Sequence, residues 1–212
     1  MKRPIIGLCG YARAGKDTMA VAVTCDPLYF MRFAFADALK KDIKAAMDLA
    51  LRAAYRPSSY VNEIEDWFHD PVMKEKIRPM LVGWGAGMRA VDSDHWIKRL
   101  ARNMHPMTLL RCDPSNEDTR RVTSRCVITD VRYLNEADWV RSLGGLVVWI
   151  ERPGVFAAND EELFKTLPDY CDVRLLLDGS IEENQAKFCK IAEDWLDQCR
   201  QCPQGDHDAE TH

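Results

Sequence analysis

The residues with the clearest chemistry lie near the amino terminus, in a loop that contains two glycines and a lysine. Four residues separate Gly10 from Gly15, and Lys16 follows directly, with Arg13 inside the loop. Glycines at this spacing let the backbone wrap around an anion with its amide hydrogens. The lysine then supplies a charge for the oxygens of a phosphoryl group in transfer. The loop therefore predicts a site for the phosphates of a nucleoside triphosphate.

The segments on either side of this loop make the motif more specific than its glycines alone. Residues 5–9 form a continuous apolar run, which predicts a central strand buried on both faces. A helix is expected from Lys16, and its positive end would point at the same anion. Asp17 stands where a serine or threonine usually offers a hydroxyl to magnesium, and Thr18 follows. Either side chain could serve the metal, and the sequence leaves the choice open.

A second pair of candidate residues follows a later strand pattern. Residues 125–129 predict a buried strand, and Asp130 comes directly after it. In P-loop proteins an acid at this place holds magnesium or its water. Arg132 would lie at the carboxyl edge of the sheet, where open α/β folds bind ligands. The alternative for this pair is a helix-capping aspartate beside a solvated arginine.

The elements that must position these residues alternate between strand and helix along the chain. Other strand patterns cover residues 29–35, 146–150 and 173–177, and helix patterns cover residues 37–55, 134–143 and the stretch that Ser180 caps. This alternation predicts a parallel sheet with helices on both faces.

A long helical stretch interrupts the alternation between the second and third strands. Helix patterns occur at residues 62–68 and 74–84 and from Ser93 onward, as in an inserted lid or substrate subdomain. We therefore expect one domain over residues 1–200, with the helical insert at about 56–105. Residues 113–118 are predicted to form a surface loop, and the polar residues 201–212 a disordered tail.

Composition limits the classes of partner. A net charge of −4 gives no overall attraction to nucleic acid or to an anionic membrane, so neither is expected as a partner. No run approaches the roughly 20 apolar residues that a membrane span needs. The eight cysteines are scattered, which is typical of reduced thiols and favours the cytoplasm. Cys199 and Cys202 form a pair, but no second pair completes a zinc site.

Taken together, these residues resemble the deoxynucleoside monophosphate kinases of bacteriophages, a branch of the nucleoside monophosphate kinase-like P-loop proteins. The resemblance covers most of residues 1–196 and rests on motifs in the same order along the chain: Gly10 to Thr18, Phe35 to Lys40, Arg78, Gly85, Arg89, Trp96, Lys98, Asp130 to Glu136, Arg152 to Gly154 and Asp178 to Ser180. It implies a three-layer α/β P-loop kinase fold with a five-stranded parallel sheet and a helical lid or substrate insert.

The resemblance also implies a role for each of these residues. Catalysis would fall to Lys16, Asp130, Arg132 and Arg152, the last from a lid. ATP would be bound by Gly10, Arg13, Gly15, Lys16, Asp17, Thr18 and, under the adenine, Gly179. The acceptor nucleotide would be bound by Asp37, Leu39, Lys40, Arg78, Gly85, Arg89, Trp96, Lys98, Arg132 and Glu136. Magnesium would be held by Asp17, Thr18 or Asp130, directly or through water.

The implied reaction is transfer of the γ-phosphoryl group of ATP, with Mg²⁺, to a deoxynucleoside monophosphate. One alternative is a P-loop kinase of another small phosphorylated acceptor, such as phosphomevalonate or dephospho-coenzyme A. A second alternative is a nucleotide-binding switch, which needs switch loops and a water-positioning residue that the sequence does not identify. The accepted bases, the choice between deoxyribose and ribose, and a homodimeric state are left open. A phage-encoded enzyme of this kind would work in the host cytoplasm.

Overall fold

Five short apolar segments form one parallel sheet. The computed structural model describes residues 3–25, 27–54, 68, 70–109, 125–156 and 166–201. The strands are β1 (Ile5–Cys9), β2 (Met31–Phe33), β3 (Cys126–Ile128), β4 (Leu146–Glu151) and β5 (Val173–Leu176). They lie in the order β2-β3-β1-β4-β5, and every pairing is parallel. The predicted α/β class with a five-stranded parallel sheet is confirmed.

Seven helices lie in the described part of the chain. They are α1 (Lys16–Thr24), α2 (Phe35–Ala53), α3 (Pro71–Val91), α4 (His95–Leu109), α5 (Leu134–Ser142), α6 (Leu167–Tyr170) and α7 (Ile181–Gln201). The short helix α6 was not predicted, because four residues are too few to show a helical period. The predicted helix at 62–67, the loop at 113–118 and the tail from 202 onward lie outside the described residues.

Two predicted boundaries are wrong. The strand pattern at 29–35 was too long, since β2 ends at Phe33 and α2 already begins at Phe35. Helix α3 was expected to end at Trp84 but continues past Gly85 and Gly87. Glycine disfavours a helix interior by only about 1 kcal/mol, so packing of the buried residues Ile77 and Gly85 can outweigh it.

The chain divides into two compact units. Unit 1 comprises residues 1–33 and 105–212, and unit 2 comprises residues 34–104. The predicted domain limits stay predictions. None of the helices in the described ranges has the length and apolar character that crossing a bilayer requires.

Unit 1 has three layers around β1, whose five residues are all buried. On one face, Ile6 and Leu8 share a core with Val23 of α1 and Phe188 of α7. On the other face, a Cβ on Gly7 would lie 3.2 Å from Val140 of α5, so this helix packs directly on the strand. The register pairs residues of β1 and β3 side by side, so the segments that follow these two strands leave the sheet at the same edge.

Unit 2 is helical and has a small core of its own. Ile43 of α2, Ile77 of α3 and Phe68 pack together there. Asp70 caps the start of α3 by accepting a hydrogen bond from the Met73 amide at 2.7 Å.

Candidate functional site

The shape of the glycine loop, residues 10–16, depends on both of its glycines. Gly10 has a φ of +141° and Gly15 a φ of +100°, values that residues with a side chain rarely adopt. A Cβ on Gly10 would lie 2.5 Å from the Ile150 carbonyl oxygen, which leaves no room for one. Arg13 also has a positive φ of 65°, which is strained for a residue that is not glycine. Strain of this kind is typical of ligand-binding loops.

Lys16 lies across the inside of this loop. Its ammonium group donates hydrogen bonds to the carbonyl oxygens of Gly10, at 2.5 Å, and Tyr11, at 2.7 Å. Lys16 is half-buried and is the first residue of α1. Its ammonium therefore lies near the positive end of that helix. An arriving phosphate oxygen can replace the two carbonyl oxygens as partner of the charge.

The environment of Lys16 lowers its pKa to about 8, first through burial and then through the nearby charge of Arg132. Asp17, Cys9 and Asp130 act in the opposite direction. Asp17, after β1, and Asp130 and Arg132, after β3, therefore all change the pKa of Lys16. This agrees with the expectation that the segments after these two strands lie at the same edge of the sheet. Because the unfolded value is 10.5, the charged lysine opposes folding below pH 8, and this cost disappears as the pH rises from 8 to 10.5.

This pKa predicts how nucleotide binding depends on pH. A bound phosphate favours the protonated lysine, so we expect affinity for ATP to fall as the pH rises through about 8. Binding at about pH 8.5 should then take up as much as about three quarters of a proton. Titration calorimetry in buffers of different ionisation enthalpy measures this uptake. In Lys16→Ala the uptake should vanish, and an unchanged uptake in that variant would assign it to another group.

The charged side chains beside the loop enclose a cavity of about 250 Å³. Its lining consists of Arg13, Gly15, Lys16, Asp17, Thr18 and Arg152. Arg152 follows β4, so the fold brings it to a loop more than 130 residues earlier in the chain. Three cations around one cavity suit a polyanion such as a triphosphate.

Asp17, at the position usually held by serine or threonine, lies on the outer side of this cavity. Its side chain is 81% exposed, and one carboxylate oxygen lies 3.7 Å from Arg32 of β2. Sequence reasoning missed Arg32, because its place in a strand pattern gave no signal of this pairing.

A second, smaller cavity of about 80 Å³ shares Gly15, Thr18 and Arg152 with the first. The rest of its lining is mostly apolar and consists of Met19, Leu177, Gly179, Ile181 and Asn184. A Cβ on Gly179 would lie 2.4 Å from a carboxylate oxygen of Glu183, so the Glu183 side chain would have to shift to make room for it. An apolar slot that continues from a phosphate site suits a nucleobase.

Side chains at the start of α7 hold the loop around Gly179. Asn184, 5% exposed, donates to the Gly179 carbonyl oxygen at 2.9 Å. Glu183 accepts from the Ser180 amide at 2.8 Å, and the Ser180 hydroxyl accepts from the Glu183 amide at 3.2 Å. The predicted cap at Ser180 is confirmed. Asn184 was missed because it follows the helix start without a recognisable motif.

The segment after β3 is held at several points. The Thr129 amide donates to the Phe33 carbonyl oxygen at 3.0 Å, and the Val131 amide donates to the Leu8 carbonyl oxygen at 3.1 Å. Asp130, half-buried, lies between these two anchors, and Arg132 is exposed just beyond them. The structure therefore brings Asp130 and Arg132 to the glycine loop.

Glu136 lies in the first turn of α5. The residue is only 3% exposed, and its carboxylate accepts hydrogen bonds from the amides of Arg132 and Tyr133. Its Oε2 is therefore engaged with the backbone. The contact of Glu136 with an acceptor nucleotide stays a prediction.

In unit 2, three of the predicted acceptor residues meet at one point. A Cβ on Gly85 would lie 3.3 Å from the guanidinium of Arg89 and 3.6 Å from the side chain of Leu39. Lys40 extends from the same helix as Leu39, and its ammonium lies 3.8 Å from a carboxylate oxygen of Asp37. Two cations and a close-packed glycine therefore lie along α2 and α3.

The remaining candidates of unit 2 already have partners. Arg78 donates to both carboxylate oxygens of Glu75, at 3.0 and 2.8 Å, and Lys98 pairs with Asp92 at 2.8 Å. Trp96 is 2% exposed and donates its indole hydrogen to the Gly85 carbonyl oxygen at 3.2 Å. In this conformation Trp96 is a core residue and offers no face on which a base could stack.

Comparisons with known proteins agree with the family that the motifs indicated. No protein-family model matches the chain. TT1252 from Thermus thermophilus is 16% identical over 91% of this chain and 98% of its own, but its TM-score of 0.42 is too low to support an argument. The "Putative deoxynucleotide monophosphate kinase" of Acanthamoeba polyphaga mimivirus is 31% identical over 186 residues, which are 84% of this chain and 91% of that protein. The chain therefore belongs to the deoxynucleotide monophosphate kinase family.

Proposed function

We propose that the protein transfers the γ-phosphoryl group of ATP to a deoxynucleoside monophosphate, with ADP and a deoxynucleoside diphosphate as products. A kinase acting in nucleotide metabolism follows from the family. The observation that supports ATP as the phosphoryl donor is the cavity at the glycine loop, where Lys16, Arg13 and Arg152 surround a space suited to a triphosphate.

The reaction needs charge and position, and no covalent enzyme intermediate. An oxygen of the acceptor's phosphate attacks the γ-phosphorus, the bond to the bridging oxygen breaks, and ADP carries away the electron pair. Lys16 exchanges its two loop carbonyls for phosphate oxygens. Arg132, whose charge already acts on Lys16, and Arg152, in the cavity wall, stabilise the negative charge of the transferring group.

The residues at the cavity fit a magnesium ion that arrives with the nucleotide. Within the described ranges, no three His, Cys, Asp or Glu side chains cluster closely enough to hold a metal alone. Magnesium is commonly bound by one or two carboxylates together with waters and substrate phosphates, so Asp17 and Asp130, with the Thr18 hydroxyl, provide a suitable donor set. When bound, the ion would neutralise charge on the phosphates. Asp130 would orient its water shell.

Asp130→Asn is expected to lower kcat about 10- to 100-fold, because the amide cannot organise the shell of the metal as a carboxylate does. The Kd for ATP should change less than about threefold, and more Mg²⁺ should be needed for half-maximal rate. Rates over a magnesium titration, with Asp194→Asn on the exposed face of α7 as control, measure both effects. An unchanged rate and magnesium dependence would show that Asp130 has no role at the metal; it is not a helix cap either, since the N-cap of α5 is Tyr133.

The acceptor's phosphate is proposed to bind to cations of unit 2, chiefly Arg78 and Lys40. The Arg78 pair with Glu75 is exposed and Lys40 is only loosely paired with Asp37, so either cation can exchange its partner at little cost. An arginine fork also matches two phosphate oxygens at once.

Arg78→Ala and Lys40→Ala are expected to raise the KM for the acceptor about 10- to 100-fold, since each removes a charge-assisted bond worth roughly 1.5–3 kcal/mol. The KM for ATP should move much less. Kinetics with each substrate varied in turn separate the two constants, and Lys76→Ala, an exposed lysine on the same helix, is the control. Equal effects on both constants would place these cations on the ATP side of the reaction.

A panel of acceptors with Mg-ATP tests the reaction as a whole. We expect ADP to form only with a deoxynucleoside monophosphate present, and its formation to fall about 10³-fold in Lys16→Ala. Activity with phosphomevalonate or dephospho-coenzyme A alone would favour the alternative kinases. ADP formation that no acceptor stimulates would favour a nucleotide-binding switch.

A further inference from the structure

Tyr11 belongs to the glycine loop, and its ring packs against the neighbouring strand β4. The centre of this ring lies 5.1 Å from that of Trp149, and the two rings are nearly perpendicular, at 89°. Such edge-to-face pairs of aromatic rings stabilise a contact by more than the area that they bury. Trp149 is only 2% exposed and lies in a strand that is buried from Leu146 to Ile150, so this partner is held firmly. The ring of Tyr11 therefore holds the loop on the sheet.

The carbonyl group of Tyr11 shapes the loop itself. Its oxygen accepts a hydrogen bond from the Ala14 amide at 3.2 Å and another from the Lys16 ammonium at 2.7 Å. The first bond closes a turn over residues 11–14, and the second holds the ammonium inside the loop. Because Ala14 is 1% exposed and packs in the core of unit 1, this turn is anchored at both of its ends.

The loop needs such anchors and lies close to the end of the strand that provides one of them. Arg13, inside the turn, has a positive φ of 65°, and a strained residue keeps its conformation only where its surroundings impose it. Strand β4 leads directly to Arg152, which lines the same cavity as Arg13 and Lys16. The contact between Tyr11 and β4 therefore sets the distance between the loop and Arg152.

We propose that Tyr11 is a positioning residue for the phosphate donor. Its ring, held by Trp149, keeps the glycine loop in the shape that receives the phosphates and at the right distance from Arg152. The proposal rests on the donor site of the kinase function given above. It differs from a direct contact between the half-buried ring and a nucleobase, which would also make Tyr11 necessary for binding of ATP. Inorganic triphosphate has no base, so it separates these two roles.

The test measures the binding of two ligands to each variant. The Kd of the fluorescent analogue mant-ATP is determined directly, and the Kd of inorganic triphosphate is determined from its displacement of mant-ATP. Tyr11→Phe keeps the ring, Tyr11→Ala removes it, and Trp149→Leu removes its partner. The variant that carries both Tyr11→Ala and Trp149→Leu completes a double-mutant cycle.

Tyr11→Ala is expected to raise both Kd values by a similar factor of about 10, since the loop that binds the phosphates loses its contact with β4. Tyr11→Phe should stay within about twofold of the wild type, because the ring is retained. In the Trp149→Leu background, Tyr11→Ala should cost less than about threefold, because the contact is already lost. The acceptor KM should change less than about threefold in Tyr11→Ala, since other residues bind the acceptor.

Asp172→Ala is the matched control for a loss of stability. Asp172 accepts a hydrogen bond from the Val147 amide at 2.8 Å, on the same strand as Trp149. Its removal should lower the unfolding temperature, while both Kd values stay within about twofold of the wild type.

Wild-type Kd values in Tyr11→Ala would overturn the proposal. A rise for mant-ATP alone would also overturn it, because that result assigns the ring to the base. A loss in Tyr11→Phe as large as in Tyr11→Ala would assign the effect to the hydroxyl and overturn it as well. If Trp149→Leu does not fold, the comparison of Tyr11→Phe with Tyr11→Ala decides by itself. A wild type that binds both ligands but transfers no phosphoryl group would contradict the proposed reaction, whereas the Kd values would still decide the role of Tyr11.

Discussion

Lys16→Ala is expected to lower kcat/KM for phosphoryl transfer by about 10³-fold. The ammonium is held at the centre of the glycine loop by two carbonyl oxygens, where it can follow the transferring oxygens. Its charge opposes folding below pH 8, so its removal should not lower the unfolding temperature. Steady-state kinetics and thermal unfolding measure the two quantities.

The matched control is Lys190→Ala, which removes an exposed lysine paired with Asp194 on α7 of the same unit. It should leave kcat/KM at the wild-type value. A Lys16→Ala enzyme that retained more than about a tenth of the wild-type kcat/KM would exclude the glycine loop as the site of transfer.

Gly10→Ala is expected to abolish nucleotide binding and to destabilise unit 1 by about 2–4 kcal/mol. A side chain at this position meets two obstacles. The φ of +141° is unfavourable for alanine, and the new Cβ would lie 2.5 Å from the Ile150 carbonyl oxygen. That oxygen belongs to β4, the neighbour of β1, so either the loop must change shape or the two strands must separate.

Gly154→Ala separates these two effects. Gly154 also has a positive φ, +77°, but a Cβ there would meet nothing within 4 Å. We expect this control to lose only about 1–2 kcal/mol, from backbone strain alone. Chemical denaturation of both variants gives the comparison, and equal losses would show that the loop can move away from Ile150.

The sequence by itself determined the parts of this protein that depend on near neighbours in the chain. The strand at 5–9, the two glycines and the helix from Lys16 follow one another directly, so a short window contains the whole signal. The same holds for Asp130 at the end of its strand and for the cap at Ser180. The alternation of strands and helices then requires a parallel sheet, because parallel strands need crossover connections. Neither the periodicity nor the motifs give the partner of a given side chain.

Only the tertiary structure decided which distant residues meet. Arg32 comes to Asp17, and Asn184 to the loop at Gly179, through the order and register of strands that are far apart in sequence. The sequence also did not indicate which of the candidate side chains are buried. Glu136 and Trp96 are residue types that often bind ligands, yet the first holds backbone amides and the second packs in a helical core. The physical reason is that a side chain's function depends on its solvent access and on its hydrogen-bond partners, and both are properties of the packed chain.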